Sequence, residues 1–68
     1  MKLVSRIGIL VEESGLKKSF IADKLGVSVH QLRNYETGRS LIPIDKGYVL
    51  ADLLGVGIQD LYEEGEKG

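Results

Sequence analysis

The chain has 68 residues and a mass of 7.5 kDa, room for one small domain, because a chain this short buries only about 60% of the surface its unfolded form exposes. It contains no Cys and a single His, which excludes disulfide staples, a thiolate zinc site and an imidazole cluster, so aliphatic packing must carry the core. At 43% hydrophobic and 28% charged residues it is too apolar for intrinsic disorder, and its net charge of −1 hides an uneven spread: residues 1–40 hold seven Lys or Arg against four acids, residues 41–68 two against six.

Leu3, Val4, Ile7, Leu10 and Val11 recur with helical spacing, which predicts a first helix over residues 2–14, stopped by Gly15. A second helix is expected over residues 18–25, with Phe20, Ile21 and Leu25 inward and Gly26 as its stop. Ser28 opens a third, since Ser-x-x-Gln can form a capping box with Gln31. Leu32 and Tyr35 share the inner face of that helix, and Thr37-Gly38 marks its end. After a loop, Pro43 suits the first turn of a fourth helix, where a missing N–H costs nothing, and Ile44, Tyr48, Ala51 and Leu53 or Leu54 recur helically up to Gly55. A short fifth helix over residues 58–62 adds Val56, Ile58 and Leu61 to the core, and residues 63–68 read as a polar tail. No segment alternates with period two over a strand's length, so the expected class is all-α. Nor does any segment read as a transmembrane span or a secretory signal, which makes a cytoplasmic protein the expectation.

The second and third helices are separated by only Gly26-Val27-Ser28, the spacing of a helix-turn-helix. On the third helix His30, Arg33, Asn34 and Thr37 stand at i, i+3, i+4 and i+7, on one face opposite Leu32 and Tyr35. Such a face suits base edges in a major groove: Arg can grip guanine O6 and N7, Asn can pair with adenine N6 and N7, and His can donate to guanine acceptors. A solvated outer face of an amphipathic helix would look the same. The positive excess of residues 1–40 favours an anionic partner for that half of the chain.

The stretch LKKSFIADKLGVSVHQLRNYETGR, followed by a Leu-Ala-x-x-Leu-Gly-Val element, resembles the lambda-repressor-like (Cro/cI, or XRE) helix-turn-helix family over nearly the whole chain. The resemblance implies a compact five-helix bundle, with residues 1–62 as the DNA-binding domain. It implies base contacts from the positions of Val29, His30, Arg33 and Asn34, and a DNA-backbone contact from that of Lys18, where the family usually has Gln. With Lys18, the residues Lys17, Ser28, Thr37 and Arg39 complete the expected phosphate contacts. Some of these positions carry a second reading. Val29 can touch a thymine methyl or pack at the turn, Lys17 and Lys18 can be ordinary solvated lysines, and capping alone accounts for Ser28. Two departures from the family stand out. Val11 occupies the place of an Arg that often pairs with the Glu matching Glu36, which leaves Glu36 to pair with Arg39 or meet solvent. Pro43 lies one place later than the family's loop Pro.

The reading these features favour is a sequence-specific double-stranded DNA-binding transcriptional regulator, a repressor that lays residues 28–37 in the major groove. A two-fold dimer on DNA is expected, because one short helix touches too few base pairs to single out a site in a genome. Its half-site centres would lie about 34 Å, or a multiple, apart, and its contact surface is expected among Leu53, Val56, Ile58 and Leu61. The alternative is a protein-interaction module such as the antitoxin of a toxin–antitoxin pair, its acidic C-terminal half meeting a basic partner. An enzyme is not expected, since no nucleophile–base pair, carboxylate pair or metal motif is present, and no cofactor or phosphate-binding glycine pattern is read.

Overall fold

In the computed structural model, which describes residues 2–65, each α-helix runs until it meets a glycine in the left-handed region. The helices are α1 (Ile7–Ser14), α2 (Lys18–Leu25), α3 (Val29–Thr37) and α4 (Ile44–Leu54). They end at Gly15, Gly26, Gly38 and Gly55, with φ between 71° and 83°, a conformation that a Cβ would strain. After α4 come one 3-10 turn, Ile58–Leu61, and a strand β2 (Tyr62–Glu64) that pairs antiparallel with a strand β1 (Leu3–Ser5) near the start of the chain.

Among the described residues the fold is therefore four α-helices with a small sheet, and not the expected five-helix, all-α bundle. The predicted first helix divides at Arg6. Its N–H donates to the Leu61 carbonyl at 2.8 Å, and Ser5 Oγ accepts from the Ile7 N–H at 3.2 Å, so the backbone before α1 is committed to the sheet and to a cap. Leu3 pairs with Glu64, Val4 with Glu63 and Ser5 with Tyr62, and Leu3 and Val4 are exposed. At the other end, the expected fifth helix shortens to the 3-10 turn, fixed by the Gly57 N–H donating to Asp60 Oδ2 at 2.9 Å. The expected domain boundary at residue 62 falls inside β2, which takes in Glu63 and Glu64. Residues 66–68 of the expected tail lie outside the described residues.

Ile7 and Val11 of α1, Ile21, Ala22 and Leu25 of α2, Leu32 and Tyr35 of α3, Leu50 and Ala51 of α4, and Leu61 form one buried core. Phe20, expected inward, is exposed with the Lys24 ammonium 5.5 Å from its ring centroid, because the inward stripe of α2 runs through positions 21, 22 and 25 on the far side of the helix. On α4 Ile44 and Tyr48 are 70% and 62% exposed, against expectation. The buried stripe there starts at Gly47, where an added Cβ would lie 3.5–3.6 Å from Ile58, Ile42 and Leu61. That glycine lets the 3-10 turn close on the helix, and it carries no apolar side chain for periodicity to register. Pro43 sits just ahead of α4 as its N-cap, one place earlier than expected.

Candidate nucleic-acid interface

Two short-range devices form the turn between α2 and α3. Gly26 and Val27 turn their N–H groups back to Asp23 and Ala22 at 3.1 and 3.0 Å, closing α2. One residue later Ser28 is extended, and its Oγ accepts from the Gln31 N–H at 3.0 Å, which opens α3. This is the first half of the expected capping box; the reciprocal bond from the Gln31 side chain is not formed among the described residues. The Lys46 ammonium reaches back to the Leu25 carbonyl at 3.2 Å and satisfies the end of α2 from α4.

With Leu32 fully buried and Tyr35 nearly so, helical geometry turns the opposite face of α3 outward. His30, Arg33 and Thr37 are exposed there and Asn34 is half-buried, so the structure brings together the four side chains that spacing had placed on one face. Val29, for which packing at the turn had been an alternative, is 45% exposed. The Asn34 backbone carbonyl accepts from the Ser40 N–H at 3.2 Å and from Thr37 Oγ1 at 3.4 Å, which ties the chain after α3 to the helix and holds Arg39 in an exposed turn beside its end. Downstream, the same α3–α4 loop is pinned where the Ile42 N–H donates to Tyr62 Oη at 2.9 Å.

Lys17 is exposed and extended ahead of α2, whose first turn has no side-chain cap. Its free N–H groups and those at the start of α3 favour anions. Lys18, by contrast, is engaged: its ammonium lies 3.2 Å from Glu36 Oε1. The expected partner of Glu36 was Arg39 or water. Lys18 takes that place because the fold carries the start of α2 to the last turn of α3, an approach with no signal in local sequence. Lys46 was likewise not foreseen.

Residues 17–39 carry five Lys or Arg against two acids, one of which, Glu36, is the partly covered partner of Lys18. The acids of the second half lie on α4, the 3-10 turn and β2 or beyond. The two halves of the charge distribution thus map onto different elements. Among the described residues no group of three or more His, Asp or Glu is placed to hold a metal ion, and no helix is long and apolar enough to cross a membrane. A family model described as helix-turn-helix matches residues 7–61. Comparison with curated proteins finds no match.

Proposed function

Because the chain belongs to the Cro/cI-like helix-turn-helix family, and so to DNA-binding transcription regulators in kind, we propose that it is a cytoplasmic repressor that occupies an operator with α3 in the major groove. The observation that carries this reading is the outward face of α3, with His30, Arg33, Asn34 and Thr37 beside a capped turn and above buried Leu32 and Tyr35. In this reading Arg33 and Asn34 contact base edges, His30 donates to a guanine acceptor and Val29 meets a thymine methyl. Lys17, Ser28, Thr37 and Arg39 hold phosphates on either side, and the helix N-termini add backbone donors.

The working species is a two-fold dimer on a roughly palindromic site. Of the side chains first expected at its contact surface, Leu61 is buried and Val56 and Ile58 pack against the core. The large apolar side chains left most exposed are Leu41, Ile44 and Tyr48.

Selection of a binding site from random-sequence duplex DNA tests the reading, followed by titrations of that site at several salt concentrations and a stoichiometry. Log affinity is expected to fall linearly with log salt as phosphate contacts release counterions, with two chains bound per inverted repeat. One chain per site without a repeat overturns the dimer. Binding that is absent, or indifferent to salt, overturns the DNA reading and leaves a protein partner, as in an antitoxin, as the role of the chain.

A further inference from the structure

Lys18 opens α2 and Glu36 lies in the last turn of α3, so their 3.2 Å contact joins the two helix ends that the Gly26–Ser28 turn does not. The Glu36 side chain is only 8% exposed, and its second oxygen, Oε2, is buried with no hydrogen-bond partner. Across from it α1 passes close: a Cβ on Gly8 would lie 3.5 Å from the Glu36 carbonyl and 3.6 Å from its Cβ. Lys18 is the cation paired with this carboxylate; the second ion pair among the described residues, Arg6–Glu63, is elsewhere.

The Lys18 side chain is 42% exposed, so the dependence falls on the carboxylate: without its counterion the covered Glu36 is left as an uncompensated charge. If Lys18 swung out to a DNA phosphate, Glu36 would lose its cation while already holding one unsatisfied oxygen. Tilting the end of α3 would move Arg33 and Asn34, which sit within one turn of Glu36. We propose that Lys18 is a positioning residue for DNA recognition: through Glu36 it holds the end of the recognition helix against the start of α2, and it does not serve as a phosphate contact. The proposal rests on the DNA-binding role of α3 argued above.

Salt titrations on the selected operator and on random-sequence duplex separate the two roles of the lysine. With Lys18→Met, binding to the operator is expected to weaken by about tenfold at every salt concentration, the scale of indirect coupling through a packed network. The log–log salt slope should stay that of the wild type, and the ratio of operator to random-sequence affinity should fall. Lys18→Arg, which keeps the pair, should bind as the wild type does. The double variant Lys18→Met/Glu36→Met, which removes both charges together, should regain most of the affinity with the same slope. A phosphate contact gives a different pattern: the slope falls by about 0.9 per bound chain in both Met variants, both DNAs are weakened alike and the double variant regains nothing. That result overturns the proposal. Should Lys18→Met fail to fold, the slope of the double variant alone decides.

Amide spectra of the free protein keep this proposal distinct from the DNA reading. Lys18→Met should shift resonances along α3 toward Arg33 and Asn34. Shifts confined to the residues around position 18 would count against a positioning role whatever the DNA experiments show, while a wild type that binds no DNA would sink the repressor reading by itself.

Discussion

Residues 18–37 and the β1–β2 sheet are held in place by different means. In the first, the turn between the helices is closed by partners within five positions, Gly26 and Val27 on Ala22 and Asp23 and Ser28 on Gln31, with the Lys18–Glu36 pair and the Lys46 ammonium on the Leu25 carbonyl added from farther along the chain. In the second, Leu3 meets Glu64 and Ser5 meets Tyr62, pairings between segments that all four helices separate in the chain. The family match also stops at the edge of this second region, covering residues 7–61 and leaving both strands outside. A short-range device can be retained while the surroundings change. A long-range one is a property of the whole chain.

Both regions rest on the same core. Leu32 of α3 is fully buried in that core, and Leu32→Ala should cost about 2–5 kcal/mol in denaturant unfolding. For a domain this small that is a large share of its stability, and DNA binding should be lost with it. A cost well under this range would mean that α3 does not depend on the core for its orientation.

Ser5→Ala probes the joint between the regions. Ser5 Oγ donates to the Tyr35 carbonyl at 2.8 Å and accepts from the Ile7 N–H at 3.2 Å, so the substitution should destabilise by about 1–2 kcal/mol and raise hydrogen exchange in both α1 and α3. Exchange that rises only at the sheet would show the regions to be independent.

Ser28→Ala sharpens the contrast from the other side. Loss of the cap on Gln31 should cost about 1 kcal/mol, with faster exchange confined to the first turn of α3. The smallest effect belongs to Glu63→Ala. Its pair with Arg6 is 3.5 Å long with side chains 39% and 54% exposed, and an exposed pair of this kind contributes roughly 0–1 kcal/mol. Unfolding at low and high salt should barely distinguish the variant, which would place the hold of the sheet in its backbone pairing and not in its charges.

What was legible in the sequence follows the same division. Gly26, Ser28 and Gly38 act on neighbours a few positions away, and burying Leu32 and Tyr35 forces His30, Arg33 and Thr37 outward whatever else the chain does. The strands were not legible because three residues are too few to display a period of two. Leu3 and Val4 also happen to fall in helical step with Ile7, so the true helix lent its period to the strand before it. Gly47 escaped for a different reason: the inward face of α4 begins at a residue with no side chain, and Tyr48 beside it satisfied the pattern in its place. Adjacency in the chain points Glu36 to Arg39, whereas the folded path delivers Lys18.

If the outward face of α3 reads sequence, replacing Arg33 and Asn34 together by Ala removes the reading and leaves the fold. Site selection from random-sequence DNA, run in parallel on the wild type and on this double variant, is the measurement. The variant is expected to fold as the wild type does, to keep salt-dependent binding to duplex DNA, and to lose its choice of base at the contacted positions, each contact being worth about 1–3 kcal/mol of discrimination. A folded variant that selects the same site with the same preference would contradict a sequence-reading role for α3.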